Sequence, residues 1–245
     1  YARNAAAKVE QGFTALKTGF FGATRIVDAP RVINEAAAKL RAMREAVGDG
    51  VDIGVDCHGE LSPSMAILAA KAFEPYAPMF LEEPCLPENV DVMARVARST
   101  PIPIATGERL FTKWGFREVL EKQAAAILQP DLCHAGGILE CKKIAAMAET
   151  YYAAVAPHNP LGPIALAASI QLDACIPNFL VQEHVTLGEG YLKEPFRLDR
   201  GYVDLPTRPG LGIELDEDAV REKLYDGEWE NPRLYHKDDG SVADW

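Results

Sequence analysis

Short apolar runs that end in an ionisable residue recur along this chain at nearly even spacing. Val51–Asp56, Met79–Glu82, Ile102–Glu108, Ala125–Asp131, Ala153–His158 and Phe179–Glu183 each read as a buried strand closed by a polar side chain. The closing residues stand 23 to 27 positions apart. About 25 residues hold one strand, one helix and two short loops.

The intervals between these runs carry apolar residues at helical spacing. Val32, Ile33, Ala36, Leu40, Met43 and Val47 predict a helix over Pro30–Val47 that stops at Gly48 and Gly50. Ser62 as N-cap and Pro63 at the first helical position open a helix that runs to Phe73. Further helices are expected over 88–98, 113–122, 137–149 and 163–174, and an earlier one over Ala5–Thr14 leads into a weak strand at Ala15–Thr18. Strands that alternate with helices of this length form parallel βαβ units, and a polar residue at each strand tip is how a β/α barrel assembles an active site on one face.

Seven strands precede residue 184, where a closed TIM-type barrel needs eight, so the first strand is expected to fall before Tyr1. Residues 1–184 therefore read as a barrel incomplete at its N-terminus, and 185–245 as an extension packing on it. That tail breaks the rhythm. Turn signals at Gly188, Gly190 and Gly210, an extended stretch Gly201–Leu205, an acidic helical run over 216–225 and a loop-rich end at Trp245 are expected.

Composition narrows the function classes. With 245 residues, 48% of them hydrophobic, the chain can bury one large core or two small ones. No apolar run approaches the ~20 residues of a membrane span. No basic segment followed by an apolar stretch marks a signal peptide either. A net charge of −11 without a basic cluster argues against nucleic acid or an anionic membrane as partner. It would also repel an anionic small substrate, unless a cation sits in the site. The five cysteines (57, 85, 133, 141 and 175) lack metal-type spacing and read as reduced, packed residues of a cytoplasmic protein.

The strand tips supply the candidate chemistry. Asp56, Glu82 and Glu108 come from three consecutive strands and would lie side by side around one sector of the mouth. Each alone reads as a cap or a surface acid. Three together within ~5 Å would repel by roughly 3 kcal/mol per pair at an effective dielectric near 20. They must take up protons or share a cation, and an all-oxygen set suits a hard ion, Mg²⁺ above all. Glu83 should point to the opposite face from Glu82, toward helices or a structural ion pair, and Asp52 has no site role.

Two histidines flank the sector. His58, two residues beyond Asp56, can reach toward the cation, and His158 lies across the mouth one unit beyond Asp131. A carboxylate that holds one ring nitrogen leaves the other basic and oriented. Glu183, next around the ring, reads either as a protonated donor to a substrate oxyanion or as a partner for the loop after it. His134, His184 and His236 lack such support and read as structural or rim residues.

The stretches VDCHG (55–59), FLEEP (80–84), ATGER (105–109), ILQPDLCHAGG (127–137), APHNPLGPIAL (156–166), VQE (181–183) and TRPGLGIELD (207–216) resemble the acid-sugar dehydratases of the mandelate-racemase branch of the enolase superfamily. The resemblance runs over essentially the whole chain. It implies that Asp56, Glu82 and Glu108 hold Mg²⁺ and that the metal binds the carboxylate of a sugar acid, an aldonate of the galactonate type. It also implies that His158, oriented by Asp131, removes the proton next to that carboxylate and that Glu183 steadies the enolate oxygen. His58 would protonate the departing 3-hydroxyl, giving a 2-keto-3-deoxy acid. Sites of this superfamily pair a Lys or His base with Mg²⁺. Members of this branch carry an N-terminal α+β lid domain, to which nothing here corresponds, and they commonly assemble as homo-oligomers. The strand at Leu16-Lys17-Thr18 lacks the Lys-x-Lys pair of many relatives, which favours a histidine-based dehydratase. The alternatives are a dehydratase or epimerase acting on another acid sugar, or an inactive lidless fragment.

Overall fold

Six parallel strands lie side by side in chain order: β1 (Ala15–Gly19), β2 (Asp52–Asp56), β3 (Phe80–Glu82), β4 (Ile104–Thr106), β5 (Ile127–Leu128) and β6 (Ala154–Val155). The computed structural model describes residues 1–225, 227, 235–236 and 238–243. Helices return the chain between strands: α2 (Pro30–Val47), α3 (Pro63–Phe73), α4 (Val90–Ala97), α5 (Thr112–Glu121) and α7 (Gly137–Glu149), with α1 (Ala2–Glu10) before β1 and α8 (Pro163–Asp173) after β6. This is the α/β, TIM-type arrangement that the strand–helix alternation predicts. Ser62 caps α3 by accepting from the Met65 amide at 3.3 Å, and Gly48, at φ 72°, ends α2.

Alternation along the strands divides the interior in two. Val55, Leu81, Leu128 and Val155 face outward into the main core, where they meet Leu40, Phe73, Leu120 and Ile144 from the helices. Phe80, Ala105, Ile127 and Ala156 face the other way and form a second, smaller cluster inside the curved sheet. Gly54 is required there, because a Cβ on it would stand 2.5 Å from the Phe80 ring. Register pairs Gly54 with Phe80 and Asp56 with Glu82, so with a period of two both carboxylates project on the inner side, one step above that cluster.

Several boundaries differ from expectation. Helix α1 ends at Glu10 rather than Thr14, because Gly12 at φ 100° turns the chain toward β1. A short helix, α6 (Leu132–Ala135), intervenes after Asp131, whose side chain caps it. The expected strand ending at Glu183 is reduced to one bridge, Val155 with Phe179, and bonds of the Val155 backbone to Asn178 and Leu180. Phe179 and Leu180 are 40% and 41% exposed, and among the described residues no strand pairs on their far side to extend the ladder. In the tail the extended stretch is a small hairpin, β7 (Leu198–Asp199) with β8 (Tyr202–Val203), and the acidic helix α9 covers only Glu217–Arg221. The expected loop at Trp245 lies outside the described residues. Of the five free cysteines, Cys133 and Cys175 are exposed rather than packed. No helix among the described residues is long and apolar enough to cross a membrane.

Candidate active site

The three carboxylates do converge. One oxygen from each of Asp56, Glu82 and Glu108 falls within 4.8 Å of the others, Glu82 and Glu108 being buried and Asp56 partly so. Asp56 and Glu82 are register partners on β2 and β3, whereas Glu108 lies past the end of β4. Gly107 makes that placement feasible: it sits at φ 146°, and a Cβ there would stand 2.9 Å from the Gln129 backbone.

Glu82 Oε2 and Glu108 Oε2 are buried with no hydrogen-bond partner among the described residues. Orphaned carboxylate oxygens at the meeting point of three acids fit a hard cation. Burial, opposed by Lys17 and reinforced by Asp56, pushes the Glu82 carboxyl up. Glu83 turns aside, as expected, but toward β4 rather than the helices: it accepts from the Thr106 hydroxyl and from the Gly107 amide at 3.2 Å. Burial pushes its carboxyl up to about 7.

Opposite this cluster stands a histidine–carboxylate pair. His158 Nδ1 lies 2.9 Å from Asp131 Oδ2, and Nε2 lies 3.5 Å from Glu108 Oε2. A buried carboxylate accepts the Nδ1 hydrogen, which leaves the Nε2 lone pair aimed into the mouth. Burial works against the charged ring, but Asp131, then Glu183 and Glu108, hold His158 above its ordinary value. Asp131, against the cost of its burial, is held below the usual carboxylate range by His158 and the Cys133 amide.

His58 sits at φ 54°, its amide donating to Asp56 Oδ1 at 2.8 Å and its Nε2 lying 3.7 Å from Glu108 Oε1. Glu183 Oε2 accepts from the Asn159 amide at 2.8 Å. His184, left aside in the sequence, stacks on Phe13 with ring centroids 5.5 Å apart, and its burial lowers its pKa.

Sequence reasoning missed two cations. Lys17, on β1, lies 2.6 Å from Glu82 Oε1, 2.7 Å from Glu183 Oε1 and 3.6 Å from Asp56 Oδ2. Burial opposes its charge, yet Glu82, Glu183 and Asp56 hold the ammonium above its ordinary value. Its signal was a lysine within an otherwise uncharged strand. Arg109 donates from Nη2 to the His58 carbonyl at 2.9 Å and stands 3.7 Å from Glu108 Oε1, tying the tips of β2 and β4 together. A cavity of about 610 Å³ opens over Lys17, Asp56, Glu108, His158 and Glu183, and Phe111, His134 and Pro160 also line it.

Comparison with known proteins places this geometry. The sequence profile of the enolase C-terminal domain-like family matches residues 1–219. The chain is 44% identical to the D-galactonate dehydratase of Variovorax paradoxus, over 97% of this chain and 65% of that protein. It is also 44% identical to that of Ralstonia pickettii, over 98% and 67%. A solved mandelate racemase/muconate lactonizing enzyme from Sulfitobacter sp. superposes with a TM-score of 0.87 at 42% identity, over 94% of this chain and 61% of that one. The chain thus spans about two thirds of the length of its curated relatives.

Proposed function

Because the chain belongs to the enolase C-terminal domain-like family, we propose that its barrel mouth serves the Mg²⁺-dependent dehydration of a sugar acid of the galactonate type. The observation that carries this reading is the convergence of Asp56, Glu82 and Glu108 within 4.8 Å, facing the His158–Asp131 pair. In this reading the three carboxylates hold the cation. When bound, Mg²⁺ supplies fixed positive charge for the substrate carboxylate as electrons build up on it, and lets an acidic protein attract an acidic substrate.

The residues of the chain do the rest. His158 Nε2 takes the proton from C2, next to the carboxylate, while Asp131 keeps the ring in the tautomer that can accept it. The C2–H electrons move onto the carboxylate as an enolate, then return to form the C2–C3 double bond as the C3–O bond breaks. His58 gives its proton to the departing hydroxyl, which leaves as water. The enol then takes a proton at C3 and becomes the 2-keto-3-deoxy acid. Glu183 would donate a hydrogen bond to the enolate oxygen only after Lys17 has turned away, since in this structure both of its carboxylate oxygens accept bonds.

An epimerase would need a second base on the opposite face of C2. In this structure Lys17 is ion-paired to Glu82, Glu183 and Asp56, and no second histidine–carboxylate pair stands beside it among the described residues. The five unpaired cysteines fit a reducing, cytoplasmic setting.

Incubating the protein with a panel of aldonates and Mg²⁺, and assaying 2-keto acid, tests the proposal. Mg²⁺-dependent product from galactonate or a close relative supports it. Mg²⁺ binding without turnover of any aldonate removes it.

A further inference from the structure

His134 stands outside the strand-tip rhythm, three residues past Asp131, yet it forms part of the cavity wall. The reason is α6. Asp131 accepts the Cys133 amide at 2.7 Å with its side chain, and its carbonyl accepts the His134 and Ala135 amides. That tight turn folds the next side chain back over the mouth. The His134 ring centroid lies 6.5 Å from that of His158 and 6.3 Å from that of Phe111. The residue is exposed there, on the solvent side of the catalytic pair.

One ring nitrogen is already committed. Nδ1 lies 3.4 Å from the Glu108 carbonyl oxygen, which can only accept. Nδ1 therefore carries the hydrogen, and in the neutral ring Nε2 keeps its lone pair. A hydrogen-bond acceptor is thus presented beside Phe111, in a cavity that Pro160 also lines.

We propose that His134 is a specificity-determining contact that accepts a hydrogen bond from the distal hydroxyls of the sugar acid. The inference rests on the sugar-acid reading above. With the substrate carboxylate at Asp56, Glu82 and Glu108 and C2 at His158, the remaining carbons extend outward past the His158 ring. His134 is the polar side chain they meet there. It touches no reacting atom, so its contribution is to binding, made equally before and during the reaction.

The test is calorimetric titration of D-galactonate in saturating Mg²⁺, with the wild-type chain, His134→Phe and His134→Ala, alongside titration of Mg²⁺ alone. We expect galactonate to bind roughly tenfold more weakly to both variants, as for one lost hydrogen bond, with Mg²⁺ affinity within twofold of wild type. Steady-state assays should show the loss in KM, with kcat little changed. Unchanged galactonate affinity in both variants overturns the inference alone. A parallel fall in Mg²⁺ affinity also overturns it, since it marks a structural role. A wild-type chain that binds Mg²⁺ but no aldonate overturns the sugar-acid reading, and this inference with it.

Discussion

Lys17 Nζ stands 2.7 Å from Glu183 Oε1, joining the first strand of the sheet to the segment that follows its last bridge. The same ammonium reaches Glu82 at 2.6 Å and Asp56 at 3.6 Å, so it pairs with two of the three carboxylates assigned to the cation. Lys17 thereby counters the like-charge repulsion that the sequence predicts for this cluster.

Replacing Lys17 by Met should expose that repulsion. Removing one partner of a largely buried pair costs about 3–5 kcal/mol, on the order of 10 °C in Tm for a chain of this size. In EDTA the Lys17→Met variant should melt well below wild type, and Mg²⁺ should raise its Tm by more than it raises that of wild type. Thermal melts with and without Mg²⁺ check both. Equal Mg²⁺ shifts would mean that lysine and metal do not address the same carboxylates.

Asp131→Asn addresses the base. The carboxylate holds His158 above its ordinary value, so its loss lowers the His158 pKa and moves the acid limb of kcat/KM to lower pH. Activity falls at every pH, on the order of a hundredfold or more, because an amide can hold the imidazole in the wrong tautomer. A pH–rate profile of the variant checks the direction. A limb that moves up would contradict the pairing.

How far the site was legible follows from what periodicity can see. Asp56, Glu82, His158 and Asp131 close apolar runs, so the pattern that marks the strands also marks these side chains. Glu108 was legible although it lies beyond β4, because Gly107 extends the run by a turn. Lys17 was not: it lies inside β1, two residues before its end, and its importance comes from Glu183, which the fold brings to it from the far end of the sheet. His134 was hidden for a related reason. The one-turn helix that redirects it depends on a side-chain cap by Asp131, a residue whose other oxygen the strand-tip pattern had already assigned to His158. Likewise, the seventh strand had the right residues, but β6 beside it spans only two residues and pairs with it at the single Val155–Phe179 bridge.

Asp173 offers a stability test away from the mouth. It ends α8, its Oδ1 is buried without a hydrogen-bond partner among the described residues, and burial pushes its carboxyl up from 3.8 to about 8. Between those values the folded chain retains a proton that the unfolded chain has lost, so stability falls as pH rises through that window. Asp173→Asn removes the ionisation. At pH 8 the variant should be more stable than wild type by up to about 5 kcal/mol, with the gain shrinking to below about 1 kcal/mol near pH 4. Urea unfolding at several pH values checks this, and a gain independent of pH would exclude ionisation as its cause.

Gly107→Ala is the sharpest test of how the carboxylate cluster is built. Residue 107 adopts φ 146°, a region costly to alanine, and its new methyl would lie 2.8 Å from the Phe116 ring and 2.9 Å from the Gln129 backbone. The ring can shift, but the Gln129 backbone is fixed by its bond to the Thr106 carbonyl at 2.9 Å. The strain should therefore displace the turn that carries Glu108, at a cost of about 2–4 kcal/mol. Asp56 and Glu82, held by strand register, stay where they are, and the cation loses one ligand of three. Mg²⁺ titration should show affinity reduced roughly tenfold or more, while circular dichroism at room temperature retains the native helical signal. A variant that binds Mg²⁺ as wild type does would show that Glu108 reaches the cluster without this turn.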